Sequence, residues 1–490
     1  MNESVGISGF SLFVPPYRVQ LRDWCTWTGN SWDKTRAVIG NSFRVVGPDH
    51  SVYTMAANAA LRLIEDYAID PQSIGYLAVG TESGTDNATS AAVVVRGLID
   101  EALRASGKQP LARDIEAPEF KQACLGGVYG IKGALRYLAV DGANRKAIVI
   151  AGDIAEYSRG STGEATQGAG AVAMLLEHSP KIMEIDVRKA GSATSYRAVD
   201  FRKPFLRFCS QTVLDDGRPR DFPIFNGKYS TACYIDETLC SLSAFFGRQS
   251  TNRLQYIRNL AAVFMHRPYH RMPVAAWTYA YLFALGADKD QGLDELGRLA
   301  QEAGVSLQDV LNEMSVSPDL LGRALQGDLA EEAYPLTAQL IKPLRKTAAY
   351  SDVIEGKLKL GASVAMELGN LYCGALPAWV AAGLHEAAAH PESLASKEIL
   401  MIGYGSGDAS EAIAATLVAG WDRAAARINI DAALAGAIDL TQSQYEALHD
   451  GKQVADLPLG AAKGFCIQKI GRETGADFQD FGVEYYRLKA

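Results

Sequence analysis

Three side chains have types and settings that suit nucleophilic and general acid–base chemistry. Cys124 lies in QACLGGVYGIKGALRYL (122–138), directly before a glycine pair and a segment whose Val128, Ile131, Leu135 and Leu138 recur at helical spacing. A thiol at a helix N-terminus feels the positive end of the dipole, which predicts a lowered pKa and a nucleophilic thiolate. The glycines would let a ligand carbonyl approach the backbone amides, as an oxyanion requires. The competing reading is a structural cysteine, because free cysteine is among the most buried residue types. Glu82, in VGTESGTDNATS (79–90), follows an apolar run at the place where an α/β sheet presents functional side chains. A carboxylate at the edge of a dry pocket has a raised pKa and can serve as a general base; a helix cap or a solvated loop acid is the alternative. His266 ends a second apolar run, in VFMHRPYHRM (263–272), where a structural histidine competes with a catalytic one, and His270 and Arg271 nearby suit either a phosphate or solvent.

The elements that must position these residues alternate. VGISGFSLFV (5–14), IGYLAVG (74–80), KAIVIAG (146–152) and GAVAMLLE (170–177) read as strands, with helices over about 51–68, 88–105 and 125–140. Strands separated by helices of this length imply a parallel or mixed sheet covered on both faces. The second half repeats the order. LAAVFMH (260–266) answers IGYLAVGTE, EILMIGYGSG (398–407) answers KAIVIAGD, and GSGDASEAIAATLV answers GAGAVAMLL. An internal duplication would place Glu82 and His266 at equivalent strand ends converging on one site. Between the second-half strands, Leu293, Leu296, Leu299, Val305, Leu307, Val310 and Leu311 mark a charged helical insertion packed on the surface. FRKPFLRFCSQTVLDDGRPRDFPIFNG (201–227) reads as a loop bordering a pocket mouth.

Bulk properties narrow the class. With 490 residues, 48% of them hydrophobic, the chain can build two cores or one duplicated one. A formal net charge of -8 excludes the basic footprint of a nucleic-acid binder, so an anionic ligand must be met by a local arginine cluster. The N-terminal stretch MNESVGISGFSLFVPPY shows no signal-peptide pattern, and no run approaches a membrane span. Seven scattered cysteines without a CxxC pair argue against a disulfide framework and against structural zinc, and the expectation is a reduced cytoplasmic protein with no metal.

KQACLGGVYGIKGA, AGDIAEYSRGSTGEATQGAGAVAML, DFRKP, FPIFNGKYSTACY, FMHRPYHRM, ELGNLYCGAL and IGYGSGDASE occur in an order that resembles the 3-hydroxy-3-methylglutaryl-CoA synthase family of the thiolase superfamily, in its bacterial form, over about residues 5–420. The resemblance implies a thiolase-like five-layered αβαβα fold of two duplicated halves. Residues 1–200 would carry Cys124 and Glu82; residues 201–490 would carry His266 and a helical insertion around 285–335. It implies a homodimer and no cofactor, with acetyl-CoA or an acyl-carrier-protein thioester as substrate. Cys124 would take the acetyl group, Glu82 would remove a methyl proton, and His266 would polarise the ketone of a β-ketoacyl thioester. Asn370, Tyr157, Thr166 and Arg271 would bind substrate, and Ser406 would help hold the enolate oxygen.

The chain departs from the family pattern at Leu125 (usually tyrosine), Val128 and Cys373 (threonine), Pro377 (tyrosine) and Arg271 (lysine). These changes are expected to line or flank the acyl pocket and to leave the acceptor open. Arg202, Lys203, Arg207, Arg218 and Arg220 would suit either the phosphates of CoA or an acidic carrier protein, as in β-branching synthases of polyketide assembly. A non-catalytic partner subunit is disfavoured by the presence of all three candidates, and a decarboxylative ketoacyl synthase by the carboxylate at Glu82.

Overall fold

The computed structural model describes residues 4–203, 222–249, 251–329, 332–394, 398–454, 456–458 and 463–489. Arg207, Arg218 and Arg220 therefore lie outside the described residues. The apolar runs form strands Val5–Phe13, Ile74–Gly80, Lys146–Ala155, Gly168–His178, Ala262–Met265 and Glu398–Gly405, and the three expected first-half helices span Val52–Asp66, Ala91–Ala105 and Gly126–Val140.

Strand pairing shows the duplication directly. In the first half Ile74–Gly80 runs parallel to Lys146–Ala155, which pairs antiparallel with Gly168–His178, which pairs antiparallel with Val5–Phe13. In the second, Ala262–Met265 runs parallel to Glu398–Gly405, which pairs antiparallel with Ala409–Leu417, which pairs antiparallel with Gly191–Thr194. The short strand Met183–Glu184 hydrogen-bonds to both half-sheets and joins them.

Alternation along each strand sorts the layers. Leu77, Val79, Ile148 and Ile150 pack with helices Val52–Asp66 and Ala91–Ala105, whereas Tyr76, Ala78, Val149 and Ala151 face the central helices Gly126–Val140 and Ala375–Ala387. Helices Gly227–Gly247 and Arg271–Ala287 cover the far side of the second half-sheet, which completes five layers of a thiolase-like α/β fold. The buried Lys132 of helix Gly126–Val140 pairs with Glu411 of the second half-sheet at 2.6 Å, and both reach Ser192 Oγ. Residues 291–325 form helices Gln291–Ala303, Leu307–Met314 and Leu320–Leu325, the first two packed against Arg271–Ala287. No described helix is long and apolar enough to cross a membrane.

Candidate active site

Parallel pairing brings the carboxyl ends of the strands to one edge of the fold, and the candidate residues follow those ends. Glu82 lies two residues past Ile74–Gly80, His266 one past Ala262–Met265, and Ser406 one past Glu398–Gly405. The nucleophile helix starts against this edge because Gly80 permits it: a Cβ there would sit 2.2 Å from the Gly127 amide nitrogen. Cβ atoms at Gly126 and Gly127 would meet the Phe120 carbonyl and the Ala151 side chain, both at 2.5 Å. The glycine pair therefore serves close helix–sheet packing, not the approach of a ligand to the amides. The amides of Leu125 and Gly126 already donate to Gln122 (2.9 Å) and Ala123 (3.5 Å).

Cys124, Tyr157, Thr166, His266, Asn370 and Ser406 line one largely apolar cavity of about 540 Å³. That volume is in the range of sites that enclose a small ligand. Glu82 lines a second, more polar cavity of about 790 Å³ with Lys121, Arg202 and Lys203, and Phe201 and Ser406 belong to both walls. Glu82 and Cys124 thus line adjoining cavities that share Phe201 and Ser406. Arg271 is not brought in: it is exposed in the first turn of its helix, while its neighbours Tyr269 and Met272 reach the first cavity.

The electrostatics overturn one expectation. Cys124 precedes the helix N-cap and is 9% exposed, and its pKa is pushed well up, first by burial and then by the charges of Glu82 and Asp153. Loss of hydration and two carboxylates outweigh the helix dipole, so the resting sulfur is a thiol. The expected rise in the Glu82 pKa is present. Burial raises its carboxyl to about 7, with Lys203 opposing and Asp153 reinforcing. Asp153 is fully buried and accepts from Thr81 Oγ1 (2.7 Å), the Glu82 amide (2.8 Å), Ser83 Oγ (2.8 Å) and the Cys373 amide (2.9 Å). Burial lowers His266 to about 3, so its imidazole is neutral. Its ring stacks on Tyr404 at 6.4 Å, its amide donates to the Ile402 carbonyl, and Tyr234 donates to its carbonyl at 2.8 Å. Tyr404 is held by Asp408 (2.8 Å) and Asp200 (3.2 Å), and Asp200 also accepts the Gly407 amide at 3.1 Å, which fixes the turn carrying Ser406. Asn370 accepts the Tyr372 amide at 2.9 Å and donates its own amide to the Thr166 carbonyl at 3.1 Å.

Residues 1–181 match the family model described as hydroxymethylglutaryl-coenzyme A synthase N terminal. A hydroxymethylglutaryl-CoA synthase of Haloferax volcanii is 27% identical over 405 residues, covering 81% of this chain and 80% of its own. One from Enterococcus faecalis is 33% identical over 233 residues, 47% of this chain and 54% of its own. MvaS in complex with 3-hydroxy-3-methylglutaryl coenzyme A superposes with a TM-score of 0.76 at 25% identity, and each chain is covered in full. Together these likenesses support a member of the hydroxymethylglutaryl-CoA synthase family.

The curacin biosynthetic pathway HMG synthase in complex with holo donor-ACP shares the fold at a TM-score of 0.69 and 19% identity, covering 99% of this chain and 100% of its own. Within the hydroxymethylglutaryl-CoA synthase family, the departures of this chain fall behind the site. Leu125 is fully buried against Gly403 and Gly405, Val128 and Pro377 meet in a small apolar void between the central helices, and the Cys373 thiol donates to the Ala123 carbonyl at 3.0 Å. None of the four lines either cavity; they flank the site, as one arm of the expectation had it, and reach it through packing. Reading the sequence alone missed Phe201 and Tyr372 as walls of the site and Asp153 as the support of Glu82. Asp153 follows an apolar run just as Glu82 does, and that position was the available signal.

Proposed function

We propose that this chain performs the condensation characteristic of its family, joining an acetyl group held on Cys124 to the ketone of a β-ketoacyl-CoA. The observation that carries the proposal is the convergence of Cys124, His266 and Asn370 on one cavity whose wall, at Phe201 and Ser406, is shared with the cavity of Glu82. The Cys124 sulfur attacks the acetyl-CoA carbonyl; the new C–S bond replaces the bond to CoA, and the thiol proton leaves with the CoA sulfur. Glu82 accepts a proton from the acetyl methyl, and the freed pair forms an enolate. The enolate carbon bonds to the acceptor ketone carbon, and the ketone oxygen becomes an alkoxide that takes back the proton held by Glu82, giving the tertiary alcohol and restoring the carboxylate. Neutral His266 suits this step, since an uncharged imidazole donates one hydrogen bond to the ketone oxygen without holding a fixed charge in the cavity. Water then cleaves the enzyme thioester and frees the product.

Support for CoA as the carrier comes from the full-length likeness to MvaS bound to 3-hydroxy-3-methylglutaryl coenzyme A. Carrier-protein thioesters, and the β-branching chemistry that uses them, are the second arm of the test. Intact-mass measurement after incubation with acetyl-CoA should show one acetyl group on Cys124, and added acetoacetyl-CoA should discharge it as the 3-hydroxy-3-methylglutaryl product. Acetylation only from acetyl carrier protein would move the assignment to β-branching, and no adduct from either donor would remove it. A homodimer is proposed on the family resemblance, and light scattering of the purified chain tests it.

A further inference from the structure

We propose that Lys203 is a positioning residue for the base, its ammonium holding Glu82 in place as a carboxylate at the seam between the two cavities. The inference rests on the reading of Glu82 as the base. Lys203 Nζ lies 2.8 Å from Glu82 Oε1, with the carboxylate side chain 6% exposed and the lysine side chain 29%. The same ammonium sits 4.8 Å from the centroid of the Tyr372 ring. Tyr372 is 1% exposed, lines the cavity of Cys124, and has its amide tied to Asn370. The lysine therefore bridges the base to the wall of the nucleophile's cavity through an ion pair on one side and a cation–π contact on the other.

Its backbone reaches the seam by long-range pairing. Phe201–Arg202 pairs antiparallel with Ile224–Phe225, which sets Phe201 into both walls and delivers Lys203 to Glu82. Lys203 was expected to meet CoA phosphates or a carrier protein from the surface. An ammonium engaged by a buried carboxylate and an aromatic face cannot serve that role without leaving Glu82 buried and unpaired, which is strongly unfavourable.

The charged and titratable groups around Glu82 sharpen the argument. Asp153 on strand Lys146–Ala155 has its carboxyl raised by burial against the hydrogen bonds it accepts, Cys124 before helix Gly126–Val140 is a thiol, and Tyr157, Tyr372 and Cys373 are neutral. Lys121 and Arg202 line the same polar cavity, yet among the described residues Lys203 is the cation in ion-pair contact with Glu82. Burial alone would depress the ammonium, but the Glu82 charge more than offsets it, so Lys203 stays charged while Glu82 titrates near 7.

The test uses the full chain, loaded with acetyl-CoA so that Cys124 is acylated and does not titrate. Single-turnover condensation with acetoacetyl-CoA is then followed against pH for wild type, Lys203→Met, Lys203→Gln and Lys203→Arg, with thermal melting to confirm folding. Without the cation the carboxyl holds its proton to higher pH. Lys203→Met and Lys203→Gln should therefore be about ten-fold slower near neutral pH and recover as pH rises, with the acid limb displaced upward by about a unit or more. Lys203→Arg should keep the wild-type limb. A folded Met or Gln variant with an undisplaced acid limb overturns the proposal, as does an Arg variant no faster than Met. Should Met fail to fold, Gln decides. Failure of the underlying reading looks different: wild-type acetyl-enzyme would not condense, or Glu82→Ala would.

Discussion

The backbone amide of Glu82 donates to Asp153 Oδ1 across 2.8 Å, so Glu82 is held by a carboxylate on the neighbouring strand. Asp153 gathers three further donors, from Thr81, Ser83 and Cys373, and the last of these lies in the second half of the chain. Asp153→Ala leaves several buried donors without an acceptor, at roughly 1–3 kcal/mol each. The expected outcome is a loss of at least about 3 kcal/mol in denaturant titration, together with a condensation defect larger than the acetylation defect. A variant as stable as wild type would mean that these donors find other partners.

The wild-type pH profile is set by the same neighbourhood. A base works ionised, and burial has raised Glu82 to about 7. Single-turnover condensation should climb as pH rises through neutrality and fall about ten-fold per unit below it. His266, near 3, stays neutral throughout that range and adds no limb of its own. A rate that is flat between about pH 5.5 and 8 would remove Glu82 as the ionised base.

His266 also predicts an acid sensitivity of the fold. Its folded pKa lies below its ordinary 6.5 because burial excludes the charged form, so the unfolded chain takes up a proton first as pH falls. The contribution is intact above 6.5 and is lost as pH drops from there toward 3, amounting to roughly 2 kcal/mol by pH 5. In His266→Gln the decline in stability between about pH 6.5 and 5 should be shallower by that amount. Its condensation should be slower by about 100-fold or more, while Cys124 still acetylates.

Cys124→Ala should give no acetyl adduct and lose activity by about 10⁴-fold or more, with melting close to wild type. Its cavity face is apolar apart from the polar seam, and removing one sulfur leaves only a small void. Acetylation appearing on another cysteine would reassign the nucleophile.

The bond between nucleophile helix and second half-sheet can be tested separately. Lys132 and Glu411 have side chains 6% and 3% exposed. Lys132→Met strands a buried carboxylate and should cost about 3–5 kcal/mol, whereas the double variant Lys132→Met/Glu411→Leu should recover most of it. Equal losses in the single and double variants would show that packing, not charge, dominates there.

How far these relationships were legible in the sequence depended on distance along the chain. Ile74–Gly80 and Glu398–Gly405 were readable because a strand covered on both faces is an apolar run, and the side chains after them were readable as strand-end residues. Helix Gly227–Gly247 was not. It is buried on nearly every side, including Asp236 and Glu237, so it shows no contrast at helical spacing. The thiol pKa carried the wrong sign because what sets it, burial first and then the charges of Glu82 and Asp153, comes from tertiary packing and from residues distant in sequence. The direction of Lys203 likewise depends on the pairing of Phe201 with Phe225, which no local pattern announces.

The repeated strand order has a further consequence. Ile74–Gly80 and Ala262–Met265 are counterparts, yet one is followed by an acid and the other by an imidazole. Two identical polypeptides meeting across a twofold axis would offer the same side chain from both directions. Within one polypeptide that constraint is absent, and the two equivalent strand ends carry side chains of different chemistry.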